Sequence, residues 1–257
     1  MSKSLTLTPL ASFPRIQPGD LIADLIYEVV EQNDIQIEDN DIFVIAQKIV
    51  SKSEGRLVKL SDVIPSSRAI ELANYLLKDP RLVELILRES KSILRTRPGT
   101  IIVEHKLGFV CANAGIDHSN VFPLYGESDD WVLLLPENPD RSADMIRSSL
   151  EVVSSKKVGI MIIDSHGRAW RLGTVGIAIG LSGIPGLVDM RGIKDLSGYV
   201  LKSTQIAAAD ELAAAASLVM GQASEGTPVI HVRGFPYPMR EGSFSELKRP
   251  LEDDLFR

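Results

Sequence analysis

Four short stretches concentrate side chains able to handle charged groups. The first is IFVIAQKIVSKSEGR, residues 42–56, where an apolar run ends abruptly in Gln47, Lys48, Ser51, Lys52 and Arg56. Such cations suit phosphate oxygens, because charge-assisted donors are the strong ones for that group, and Gln47 and Ser51 add neutral donors. The alternative is a solvated edge strand kept from aggregating by its lysines. The second is NAGIDHSN, residues 113–120, with Asn113, Asp117, His118, Ser119 and Asn120 on one loop. Hard cations such as Mg²⁺ take carboxylate oxygens and keep waters for substrate phosphates, a role that suits Asp117. A turn held by Asx hydrogen bonds is the alternative. The third is IIDSHGR, residues 162–168, with Asp164 at the end of an apolar strand, Ser165 beside it, and Arg168 and Arg171 within reach of anionic groups. A strand-end carboxylate is a common anchor for a metal or nucleotide, although a hairpin turn also uses Asp at its start. The fourth is MGQASEGTP, residues 220–228, where Gly221 and Gly226 permit close backbone approach and Glu225 offers a carboxylate. By itself this stretch reads as a glycine cap and loop.

Other chemistries find little support. His105, His118, His166 and His231 lack metal-ligand spacing such as H-E-x-x-H, and His231 on a strand reads as structural. Cys111 reads as a small core residue. There is no G-x-S-x-G, no G-x-G-x-x-G and no G-x-x-x-x-G-K-[ST], so a Rossmann fingerprint and a P-loop are disfavoured. What remains is an oxygen-ligated divalent metal at Asp117 and Asp164 beside Lys48, Lys52 and Arg168, the recurring equipment of phosphoryl transfer.

The elements that must position these groups are legible in part. Strands are expected at 5–7, 42–46, 56–60, 92–96, 100–105, 132–135, 158–163 and 227–234, and residues 175–184 are apolar and rich in small side chains. Helices are expected after an Asp20 cap, from Ser66 or Ser67 through Leu77, from Pro80 through Glu89, in PENPDRSADMIRSSLEVV as a capped amphipathic helix, and from about Gln205 to Val219. The last is so alanine-rich that something must pack closely against it. Strands and helices alternate irregularly, as in a mixed α/β or α+β protein, and not as a succession of βαβ units. The 257 residues fit one domain with a charged, exposed tail from about Gly242. Hydrophobic content of 44% and charged content of 24% are those of an ordinary globular chain. The net charge of −6 argues against non-specific binding to nucleic acid or anionic membrane. No stretch approaches the roughly 20 apolar residues of a membrane span. The N-terminus lacks the apolar core of a signal peptide, and one cysteine allows no intrachain disulfide, so a reducing cytoplasm is the expected setting.

Taken in order, AQKIVSKSEGR, NAGIDHSN, LLPENPDRSA, IIDSHGRAWRLGTVGIAIGLSGI, ADELAAAASLVMG and PVIHVRG resemble the coenzyme F-420-0:γ-glutamyl ligase family, from about residue 10 to about residue 238. The resemblance implies a GTP-dependent acid–amino-acid ligase. It would join L-glutamate to a carboxylate of the deazaflavin precursor F-420-0, giving F-420-1, then add a γ-linked glutamate to give F-420-2. The implied route is an acyl phosphate, with GDP and phosphate released. It also implies two Mg²⁺ or Mn²⁺ ions, K⁺ as a further candidate cation, and an α+β, non-Rossmann, non-P-loop fold in an intertwined homodimer. That dimer would give the alanine- and glycine-rich segments a packing partner. No flavin reductase domain follows in this chain, so no flavin binding is expected.

Carried over by motif, Gln47, Lys48, Lys52 and Asn120 match nucleotide positions. Asp117 and Asp164 match metal-binding aspartates, and these two with Lys52 are the expected catalytic set. Ser165 matches a metal-site hydroxyl. Phe13, Pro14, Arg15 and Ile16 fall where the family's N-terminal nucleotide loop lies. Met220, Gly221, Gln222, Ala223, Ser224, Glu225 and Gly226 match a further nucleotide- and metal-binding segment. Some relatives have a glutamate metal ligand where this chain has Gln222. A neutral amide binds a divalent cation more weakly, so either the Gln222 carbonyl or Glu225 would complete the second metal site. The alternatives are a metal- and GTP-dependent ligase for another carboxylate, or a nucleotide-binding module without this activity.

Overall fold

A computed structural model describes residues 4–121 and 130–255. The final part of the polar section that follows Cys111, residues 122–129, lies outside the described residues. The elements run β1 (Thr6–Pro9), α1 (Ile22–Gln32), β2 (Ile42–Ala46), α2 (Gln47–Ser53), β3 (Leu57–Lys59), α3 (Ser67–Leu76), α4 (Pro80–Glu89), β4 (Ser90–Arg97), β5 (Thr100–His105), β6 (Val110–Ala112) and β7 (Trp131–Leu133). They continue with α5 (Pro139–Ser154), β8 (Gly159–Gly167), β9 (Thr174–Ser182), β10 (Val188–Asp189), β11 (Gln205–Ile206), α6 (Ala208–Met220) and β12 (Val229–Arg233). This mixture bears out the α+β class.

The main sheet has the order β1-β12-β2-β8-β9, and only β2 and β8 run parallel. Its central strands are buried on both faces, which is why they read as unbroken apolar runs. Phe43 and Ile45 of β2 join one core, with residues of α1 and α5. Ile42 and Val44 point the other way, into a second core with Ala209, Leu212, Ala213 and Ala216 of α6. The close neighbour that the alanines demand is therefore β9 of the same chain. A Cβ at Gly176 would come within 2.6 Å of the Ala213 carbonyl oxygen. The helix thus has a packing partner within its own chain.

Caps behave as helix-end chemistry requires. The Ser66 hydroxyl accepts from the Ala69 amide at 3.2 Å, and Asp79 accepts from the Arg81 amide at 2.8 Å ahead of Pro80. Asp20 does not cap α1. Its carboxylate accepts from the Gln17 amide instead, and Leu21 takes the cap position. The largest correction concerns residues 47–53. They form about two turns of helix immediately off β2, not a solvated edge strand, so Gln47 and Ser51 share one face and Lys48 and Lys52 the next. Two smaller sheets, β3-β7 and β4-β5-β6, sit beside the main one, with α3 and α4 packed on the latter.

Candidate active site

The parallel pairing of β2 with β8 builds the site. Ala46 lies opposite Ile163, so the residues that follow, Gln47 on α2 and Asp164 on β8, leave adjacent strands side by side. β8 runs on through Asp164 to Gly167, so Asp164 belongs to a strand and not to a hairpin turn. The second stretch arrives from β6. Asn113 and Ala114 hold left-handed φ values of 51° and 53°, and Gly115 follows at 64°, a sharp turn that non-glycine residues adopt rarely. A Cβ on Gly115 would lie 2.7 Å from Leu135 Cδ1, so glycine is required there for space as well. Asp117 is then fixed by two backbone hydrogen bonds with Leu133, of 3.0 and 2.9 Å.

These groups are bonded to one another. Gln47 is only 1% exposed and Ser51 0%. The Ser51 hydroxyl donates to Gln47 Oε1 at 2.8 Å, and Gln47 Nε2 donates to Asp117 Oδ2 at 2.7 Å. Lys48 Nζ lies 3.4 Å from Asp117 Oδ1 and donates to the Ser119 carbonyl and hydroxyl. Lys52 donates to the Asn120 carbonyl at 2.8 Å, and Asn120 Nδ2 reaches the Ala223 carbonyl at 3.0 Å. Ser165 Oγ donates to Gln222 Oε1 at 2.7 Å, and Gln222 Nε2 donates to Ser217 Oγ at 2.7 Å. One hydrogen-bonded chain thus ties the lysine helix to the loop after β6 and on to the loop after α6, and a second ties β8 to that same loop.

Electrostatics follow from this crowding. Burial raises the Asp117 carboxyl. Lys48 pulls it back and the neighbouring Asp164 charge raises it further, leaving it at about 6. The Lys52 ammonium is shifted downward by burial and by the charges of Lys48 and Arg15. The Cys111 thiol is pushed up to about 12 by burial and by Asp164, which keeps it an inert core group.

All of this opens into one cleft of about 1450 Å³. Residues 13–16 and 220–226 line it in full, as do Gln47, Lys48, Lys52, Asn120, Asp117, Asp164 and Ser165, so the residues matched by motif meet there. Arg168 lines it too, with one guanidinium nitrogen on the Gly173 carbonyl; Arg171, Asn113 and His118 do not. Arg56, read as a phosphate ligand, is turned away, donating to the Leu135 carbonyl at 2.9 Å and to Glu89 at 2.8 Å. Glu225 accepts from the Ala223 amide at 2.8 Å, which turns one carboxylate oxygen back onto its own loop. Sequence reasoning set His166 aside. Its Nε2 lies 2.8 Å from Asp164 Oδ2 but off the hydrogen-bonding direction, and its ring packs 5.0 Å from that of Phe109. Its signal was the two-residue spacing from Asp164 along a strand, which sets both on one face.

The described residues hold no group of three or more histidine, cysteine or acidic side chains suited to a metal. Two carboxylates with a hydroxyl and an amide oxygen nonetheless fit Mg²⁺ or Mn²⁺, which complete their shells with water and substrate oxygens. Asp117 keeps lone pairs beyond those used by Gln47 and Lys48. Among the described residues no helix is long and apolar enough to cross a membrane.

The profile of the family described as F420-0:gamma-glutamyl ligase matches residues 11–234. The chain belongs to that family. The F420-0:gamma-glutamyl ligase match thus spans all four charged stretches and ends at Gly234, past β12. Similar proteins include the coenzyme F420:L-glutamate ligase of Methanocaldococcus jannaschii, 49% identical over 221 residues and covering 86% of each chain. The protein of that name from Methanothermobacter thermautotrophicus is 43% identical over 255 residues, 98% of this chain and 99% of its own. The one from Methanosarcina barkeri is 38% identical over 247 residues, 96% of this chain and 92% of its own.

Proposed function

We propose that this protein is a GTP- and divalent-metal-dependent ligase that joins L-glutamate to the deazaflavin precursor F-420-0, and then adds a γ-linked glutamate. The observation that carries the reading is the meeting of Lys48 and Lys52 with Asp117 and Asp164 in one cleft. The names of the relatives supply the acceptor and the amino acid. In this reading the acceptor carboxylate oxygen attacks the γ-phosphorus and the bond to GDP breaks, giving an acyl phosphate. The glutamate amine then attacks the acyl carbon, phosphate leaves, and the nitrogen loses a proton. Lys48, Lys52 and Arg15 bind the triphosphate and draw charge off its oxygens. Gln47, held by Ser51, orients Asp117, and Gln222 orients Ser165. Asp117, Asp164, Ser165 and the Gln222 carbonyl would hold the metal ions, which supply charge neutralisation where two anions must approach. K⁺ remains a further candidate cation.

A homodimer belongs to the same proposal. The segment around β10 and β11 exposes Ile193, Leu196, Tyr199 and Val200, and the β8–β9 hairpin exposes Trp170 and Leu172. Apolar surface of that extent calls for a partner, and a second copy is the simplest one. A free, buried Cys111 suits a reducing cytoplasm.

The test is a mass spectrum of F-420-0 incubated with the protein, GTP, L-glutamate and Mn²⁺, with controls lacking GTP or glutamate. The expected result is a mass gain in whole glutamyl units in the complete mixture alone. No gain from folded protein that binds GTP would overturn the acceptor, and gain without GTP would overturn the energy source.

A further inference from the structure

The cleft is larger than the roughly 300–1,000 Å³ that one small ligand fills, so it has room beyond a nucleotide. Its cationic end is accounted for by Arg15, Lys48, Lys52 and the loop after α6. From Asp164 it continues past Cys111 and Ala112 onto the small sheet, where Leu94, Arg95, Ile102 and Val110 form the wall. The register sets the geometry of that wall. Arg95 lies opposite Ile102, Ile102 opposite Ala112 and Glu104 opposite Val110, so these side chains share one sheet face. The other face, with Ile101, Val103 and Cys111, is core. Val110 is nevertheless 40% exposed, and Ile102 is only partly covered. Glu104, on the same sheet face but outside the cleft lining, lies 3.9 Å from Lys91. A flat apolar surface beside one guanidinium is suited to a planar, fused aromatic ring that carries negative charge.

We propose that the outer face of β4–β6, with Ile102, Val110, Ala112 and Arg95, is the platform for the acceptor's ring system. This rests on reading the cleft as a ligase site for a deazaflavin acceptor. β6 leads directly to Asp117, and five residues of chain span no more than about 18 Å, so ring platform and reacting carboxylate are held by one short segment. The ring lies on the sheet, and its anionic side chain runs along β6 toward Asp117 and Asp164. The guanine is assigned in this reading to the part of the cleft lined by Phe13 and Arg15, so the two aromatic groups would not compete for one wall.

Equilibrium dialysis of the full chain against F-420-0, and separately against GTP with Mg²⁺, tests this in the absence of glutamate. Ile102→Ser with Val110→Ser should weaken F-420-0 binding about tenfold or more, since two apolar contacts are lost, and leave GTP affinity within about twofold. Val110→Gln, which removes apolar surface without setting a second carboxylate opposite Glu104, should weaken F-420-0 binding in the same direction. Unchanged F-420-0 affinity in folded variants would overturn the platform and spare the ligase reading. A loss of GTP affinity instead would make this wall the guanine site. A shift in sedimentation coefficient would make it a subunit contact, and either result also overturns the proposal. A wild-type protein that binds GTP and no F-420-0 would overturn the acceptor assignment and the platform together.

Discussion

Asp41 and Asp117 sit at opposite ends of β2, and they have opposite acidities. Asp41 precedes the strand and is 1% exposed. Its burial alone would raise it, but hydrogen bonds from Arg233 and His231 outweigh that and hold it at about 2. The Arg233 contacts are 2.8 and 2.7 Å, the His231 contact is 2.8 Å, and the Glu38 amide adds a fourth donor. His231 is the structural histidine its strand position suggested. Asp117, at the other end, receives one amide and one lysine and faces a second carboxylate, and it stands at about 6. A carboxylate saturated with donors holds a fold together. One left short of positive charge beside another carboxylate is prepared to accept a cation.

The sharpest way to break this contrast is Asp117→Asn. Glutamyl transfer should fall about a thousandfold, while the thermal midpoint moves by no more than about 2 °C, because an under-compensated buried charge is removed. Turnover and a melting curve on one preparation check both halves; a large drop in the midpoint would place Asp117 with the structural carboxylates. Asp41→Asn should do the reverse. It strands Arg233 and His231 and should cost about 2–3 kcal/mol in urea unfolding, toward the low side for a broken buried pair because Arg233 is partly in water. The nucleotide affinity of the folded fraction should persist. The pH dependence has a definite sign. The Asp41 carboxyl sits below its ordinary 3.8, so its contribution is complete well above pH 4 and is lost as pH falls from there through 2. The stability gap between wild type and Asp41→Asn should therefore narrow progressively over that range, and a gap as wide at pH 2 as at pH 6 would contradict the assignment. Gly176→Ala sets a methyl against Ser217 Cβ at 2.5 Å and should cost about 1–3 kcal/mol of stability. The smallest effect sharpens the comparison from the other side. Gln222→Glu adds a carboxylate beside Ser165 and should tighten Mn²⁺ binding, by isothermal titration, about threefold to tenfold. No gain would mean that the Gln222 position does not face the metal.

Single residues mark some helix starts. Ser66, and Asp79 with Pro80, each announce one and both caps are present, whereas Asp20 announces a cap that Leu21 takes instead. The strands at 42–46 and 229–233 were visible as β-branched runs. The candidate site was visible as residue types, since lysines and strand-end aspartates are conspicuous against apolar runs. Its wiring was not. Gln47 and Ser51 look like phosphate donors in sequence, yet both are consumed in orienting Asp117, and the only hint was their spacing of four. Arg56 fails for a similar reason: Glu89, its partner, is remote in sequence, and no local pattern reveals it. The helix expected from about Gln205 begins at Ala208, because Gln205 and Ile206 pair with Val188 and Asp189 as β11, a contact that local sequence does not encode.

The lone parallel pair also sorts the chain by its tolerance of insertions and deletions. Everything between residues 47 and 158 forms one excursion from β2 to β8, and its connecting turns outside the cleft could lengthen or shorten across a lineage without moving either strand. The five-rung ladder from Ile42↔Gly159 to Ala46↔Ile163 has no such freedom. A slip of one rung would displace Asp164 from Gln47 by about 3.3 Å and turn its carboxylate to the other face of the sheet. Gene-level length variation should therefore collect in the loops and be absent from these two strands.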